Sequence, residues 1–111
     1  MRRGKKAEKR ACNYLKEKGF RVLGKNYHCR VGEIDLIALD RSYLVFVEVK
    51  KRQKGSLVSP EEAVTEEKKD RIIFCSKCWI MEHNYKGDIR YDVVTICGDR
   101  LRHYKGAFTT R

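Results

Sequence analysis

Gly32-Glu33-Ile34-Asp35-Leu36-Ile37-Ala38-Leu39-Asp40, a turn at Arg41-Ser42, and Tyr43-Leu44-Val45-Phe46-Val47-Glu48-Val49-Lys50 decide how this chain folds. Both arms alternate with period two, the signature of adjacent antiparallel strands. With Asp40 facing Tyr43 across the turn, counting back sets Asp35 opposite Glu48 and Glu33 opposite Lys50. Glu33 and Asp35 then share one face, as do Glu48 and Lys50. Directly opposed strand residues have Cβ atoms about 5 Å apart, and like charges there repel. At an effective dielectric of about 20, two carboxylates at that separation repel by roughly 3 kcal/mol. A shared proton, a neighbouring ammonium or a bound cation must relieve it.

Outward from the hairpin, the spacing of Ala7, Ala11 and Leu15 predicts a helix over 3–18, closed by Gly19 just past its end. Phe20 to Tyr27 reads as a strand before the hairpin. After it, Ser59, Pro60 and Glu62 form a capping box, opening a helix whose inward stripe runs Val64, Lys68, Ile72, Cys75, Trp79. Unbroken to Asn84 it would be about 37 Å long, so a break is expected near Val64. Asp88 to Cys97 and Leu101 to Lys105 give two more strands around a Gly98-Asp99 turn. The predicted order is αβββαββ, an α/β fold. At 111 residues without repeats or linkers, one domain is expected.

The chain carries a net charge of +11, and residues 1 to 32 hold 11 Lys or Arg against Glu8 and Glu17, so that third carries +9. Such asymmetry suits a polyanion, and nucleic acid is the expected partner, with Arg2, Arg3, Lys5 and Lys6 on the basic arm. No apolar run reaches the length of a membrane span, and the first residues are basic where a signal peptide would be apolar. A cytoplasmic protein with no membrane contact and no small-molecule substrate is expected.

Two more charges fall on inward stripes: Glu8, aligned with Ala11, Cys12 and Leu15, and Lys68. Taken singly, Glu8 would pair with Lys5 and Lys68 would extend its stem to water. Together with Asp35, Glu48 and Lys50 they point to metal-dependent phosphodiester hydrolysis. Mg²⁺ prefers oxygen ligands and keeps several waters, so Asp35 and Glu48 suffice to anchor it, with Glu8 completing its shell. Lys50 would orient the attacking water or neutralise developing charge, and Lys68 or Arg52 would meet a phosphate.

The spacing of Asp35 and Glu48-Val49-Lys50, with Glu8 upstream, resembles the PD-(D/E)XK signature of restriction-endonuclease-like nucleases. Over about Gly4 to Phe108 the chain resembles the YraN-like family of small bacterial proteins, through Gly32-Glu33-Ile34-Asp35-Leu36-Ile37, Phe46-Val47-Glu48-Val49-Lys50-x-Arg52, Glu62-Ala63-Val64 with Lys68, and Tyr91-Asp92-Val93-Val94. Ile34 stands where the signature has proline. The resemblance implies a restriction-endonuclease-like mixed sheet flanked by helices. By similarity to archaeal Holliday junction resolvases, it also implies a catalytic core of Asp35, Glu48 and Lys50 with Glu8 as fourth member and Mg²⁺ or Mn²⁺ as cofactor.

Cys75-x-x-Cys78, His28-Cys29 and Cys97 raise a zinc reading, but only one CxxC is present, so Cys75 and Cys12 are expected as small buried hydrophobes and the thiols as reduced. Trp79, Phe46 and Val64 are expected in the core, and Asp92 in a structural pairing. Two functions from different classes stand: a Mg²⁺-dependent nuclease on DNA, branched or damaged structures included and dimeric if it cuts two strands symmetrically, and a non-catalytic nucleic-acid-binding protein keeping the same fold.

Overall fold

The computed structural model describes residues 5–53 and 64–110. Helix α1 (Lys5–Glu17) leads into strands β1 (Arg21–Cys29), β2 (Gly32–Asp40) and β3 (Tyr43–Lys51); helix α2 (Glu66–Glu82) and strands β4 (Asp88–Cys97) and β5 (Arg100–Phe108) follow. The order is αβββαββ, as predicted. The sheet runs β1-β2-β3-β4-β5, with β3 and β4 parallel and all other neighbours antiparallel.

The two helices cover opposite faces. Ala7, Ala11, Cys12 and Leu15 of α1 pack on Leu36, Ala38, Val45, Val47, Val94 and Ile96. On the other face Ile72 and Cys75 of α2 meet Ile34, Ile37, Leu44, Phe46, Tyr91 and Val93. Alternating residues of β3 and β4 thus serve the two faces in turn, which is why these strands are apolar almost throughout.

Helix α1 ends where the sequence predicts. Phe20 N–H donates to Leu15 O and Gly19 N–H to Lys16 O, and Gly19 has φ +93°. This pair of bonds satisfies the last carbonyls only if the residue after the cap is left-handed. A Cβ on Gly19 would meet no atom within 4 Å, so the cost of a side chain is backbone strain alone. Gly19→Ala is expected to lower stability by about 1 kcal/mol, read as a lower denaturant midpoint at unchanged slope.

Helix α2 opens at Glu66, just past Val64, with Thr65 as its N-cap accepting from Lys68 N–H. The Ser59, Pro60 and Glu62 capping box lies outside the described residues. β5 runs past the expected Lys105 to Phe108, whose ring stacks on Tyr91 at 5.0 Å and draws the strand's end onto the core.

Cys29 on β1 and Cys75 on α2 are joined by a disulfide, which corrects the expectation of reduced thiols. Their Cα atoms lie 5.4 Å apart, a spacing usual for such bridges, although 46 positions separate them in sequence. Cys12, Cys78 and Cys97 are free thiols.

Candidate metal and phosphate site

The hairpin turns where expected, with Asp40 paired to Tyr43, but the β2–β3 ladder ends at Leu36–Val47, one step short of the two acids. Asp35 instead engages β3 through its side chain, Oδ2 accepting from Val49 N–H at 2.8 Å. The alternation of β2 also breaks here. Ile34 and Ile37, three residues apart, both face α2. Across β1 the pairing skips the same step, between Lys25–Leu36 and Tyr27–Ile34, where Asn26 adopts a left-handed φ of +49°. The regular sheet opens at Asp35, and the space is filled by polar groups.

Glu8, Asn26, Glu33, Asp35, Glu48 and a rim of Lys5, Lys50, Lys51 and Lys68 line a cleft of about 910 Å³. Glu8, Glu33 and Asp35 each offer a carboxylate oxygen within 4.8 Å of the others. Asn26 Nδ2 donates to both Glu8 Oε1 at 2.8 Å and Glu33 Oε2 at 2.9 Å, and His28 Nδ1 lies 3.8 Å from Glu33 Oε1. Lys68 reaches across from α2 to within 3.7 Å of Glu48 Oε2.

Glu48 is buried, only 6% exposed. Burial pushes its carboxyl up to about 8, Asp35 beside it acting in the same direction and Lys68 opposing. Asp35 is also raised by burial, against the Val49 N–H, the hydrogen bond with Glu48 and the charge of Lys68, while Glu8 adds repulsion. Both shifts favour the protonated form of a carboxyl in this pair. This is the relief that their proximity demands.

Glu48 Oε1 is buried and has no hydrogen-bond partner among the described residues. An orphaned buried oxygen is costly to keep, and here it belongs to a carboxyl in a cleft it shares with the carboxylates of Glu8, Glu33 and Asp35. Such a donor set matches a hard divalent cation and not zinc, which prefers nitrogen and sulfur.

Of the residues read from the sequence, Glu8, Asp35, Glu48, Lys50, Lys68 and Lys5 come together. Lys50 is exposed on the rim and enters through its charge on Glu48. Lys6 is exposed outside the cleft lining, and Arg52 is half-buried beside Ile96, its backbone N–H donating to Ile96 O. Arg2 and Arg3 lie outside the described residues. Glu33, which the register set opposite Lys50, lines the same cleft as Lys50 and also lies beside Glu8 and Asp35. Asn26 was not read as a site residue at all; its one signal is an asparagine inside a strand, where asparagine is depleted.

Asp92 is structural, as expected. Fully buried, it accepts from Arg90 Nε and Nη2 at 2.8 and 2.9 Å, from Gly106 N–H at 3.0 Å, and sits 2.7 Å from His103 Nε2. Arg90 Nη2 also donates to Asp40 at 2.9 Å. Phe46 and Val64 are core residues, and Trp79 is partly buried, packed against that core with its ring edge-on to Phe46 and stacked on His83 at 3.9 Å.

A family model described as "Uncharacterised protein family UPF0102" matches residues 7–96. A UPF0102 protein of Legionella pneumophila is 43% identical over 110 residues, covering 96% of this chain and 93% of its own. One from Lachnoclostridium phytofermentans is 42% identical over 103 residues, with 91% and 87% covered. One from Persephonella marina is 35% identical over 107 residues, with 96% and 92% covered. No helix among the described residues is long and apolar enough to cross a membrane.

Proposed function

Because this chain belongs to the UPF0102 family, the YraN-like bacterial proteins of restriction-endonuclease-like fold, we propose that it is a metal-dependent nuclease hydrolysing phosphodiester bonds in DNA. The observation that carries this reading is the buried Asp35–Glu48 pair, both carboxyls raised by burial, with Glu48 Oε1 lacking a hydrogen-bond partner among the described residues, in a cleft rimmed by lysines. A pure binder of a polyanion gains nothing from four acids facing its ligand.

Asp35 and Glu48 would hold Mg²⁺ or Mn²⁺, with Glu8 and Glu33 close enough to Asp35 to share the task. Bound there, the ion would lower the pKa of a water and stabilise charge on the phosphoryl oxygens. The protein's own groups do the rest. Val49 N–H fixes one oxygen of Asp35, and Lys68 steadies Glu48 in its charged form. Lys5, Lys50, Lys51 and Lys68 attract and position the phosphate backbone, and such contacts carry no base sequence information.

The test is incubation of linear, single-stranded and four-way-junction DNA with Mg²⁺, Mn²⁺ or EDTA. Cutting that needs the metal supports the enzyme. DNA binding with no cutting of any substrate under either metal overturns it in favour of a non-catalytic binder on the same fold.

A further inference from the structure

We infer that Asn26 is a positioning residue that holds Glu8 of α1 and Glu33 of β2 in place for the cation, an inference that rests on the metal site proposed above. Glu8 and Glu33 come from different elements, and each carries a negative charge beside Asp35. Like charges so placed repel, and a donor shared between them offsets that repulsion. The Asn26 amide is placed between the first two, and its NH₂ group has two N–H donors, one for each carboxylate. The reverse orientation of the amide would aim its oxygen at two anions, so the donors are assigned by the partners themselves.

The backbone supports this placement. Asn26 has φ +49° inside β1, at the step where β1 and β2 skip a pairing, and asparagine tolerates that conformation better than other residues with a side chain. A strand residue held left-handed and bonded to two acids is strain kept at a site, not a turn. A neutral donor is also the suitable tie. A lysine or arginine there would hold the acids as firmly but would oppose a divalent cation arriving beside it.

Mn²⁺ affinity, followed by electron paramagnetic resonance of the free ion in the absence of DNA, tests this without relying on cleavage. Asn26→Gly is the first variant, since glycine takes φ +49° without strain and removes only the amide. It is expected to melt at or above the wild-type temperature yet bind Mn²⁺ at least tenfold more weakly. Glu8→Gln is expected to weaken wild-type binding at least fivefold but the Asn26→Gly protein less than twofold, because there Glu8 is no longer held. Should Asn26→Gly fail to fold, Asn26→Ser, whose short hydroxyl cannot span both carboxylates, is read by the same thresholds. Wild-type affinity in the folded variant, or full additivity with Glu8→Gln, overturns the role of Asn26 and leaves the metal site standing. A wild-type protein that binds no Mn²⁺ overturns both.

Discussion

Glu48→Gln is expected to lower metal-dependent cleavage at least a thousandfold and, in EDTA at pH 8, to make the protein more stable than wild type. The first effect follows from removing one of the two carboxylates proposed to anchor the ion, with its stabilisation of phosphoryl charge. The second follows from burial. The folded carboxyl of Glu48 is raised to about 8 from 4.5, so between those values the native state holds a proton that the unfolded chain releases. Stability is therefore highest below about pH 4.5 as far as this group is concerned, and is lost as pH rises towards 8. The loss is on the order of a few kcal/mol, and the raised carboxyl of Asp35 acts with the same sign. Glutamine stays neutral, fills the same space, and flattens that slope. Thermal melts from pH 5 to 8 check this: wild type falls more steeply than Glu48→Gln, which keeps only the contribution of Asp35. Added Mn²⁺ is expected to restore wild type at pH 8 and leave the variant unmoved, since only a native state that binds the ion gains from it. Equal melting temperatures at pH 8 in EDTA would show that Glu48 carries no buried-charge penalty.

The second large effect lies outside the cleft. Asp92→Ala is expected to destabilise the fold by about 4 kcal/mol, the scale for removing one partner of a buried ion pair. Arg90 would keep Asp40 but lose two bonds, and His103, 4% exposed, would lose the carboxylate at 2.7 Å. Burial raises the Asp92 carboxyl, but His103, Arg90 and the Gly106 N–H outweigh it and hold it below its usual range. A carboxyl lowered on folding contributes stability above its unfolded pKa of about 3.9 and loses it as pH falls through the folded value. Denaturant titration at pH 7 gives the size of the effect. Repeating it below about pH 4 should narrow the gap between wild type and Asp92→Ala, while a gap unchanged by acid would mean the loss is one of packing alone.

The αβββαββ order, the Asp40–Tyr43 register and the Gly19 terminus were legible because each rests on a local rule: period, turn length, left-handed cap. So was the proximity of Asp35 to Glu48, which needs only the count from the turn. What the count could not supply is the opening of the sheet at Asp35. Strict alternation would set Ile34 on the face of Leu36, and it packs on the other. That break coincides with the left-handed Asn26, a residue of another strand whose backbone conformation no pattern within β2 encodes. Nor could the count place Glu33 beside Glu8, which comes from another element. The Cys29–Cys75 bridge was illegible because it links partners through the packing of α2 on β1, whereas cysteine spacing raised Cys29, Cys75, Cys78 and Cys97 only as candidate zinc ligands.

The bridge turns residues 29–75 into a covalent macrocycle. Asp35, Glu48, Lys50 and Lys68 all lie within this ring, while Glu8 and Asn26 reach it from the tail outside. A single backbone cut anywhere along the ring leaves one connected molecule, so the two acids of the hairpin stay tethered to the lysine of α2 through sulfur even when the peptide chain between them is severed.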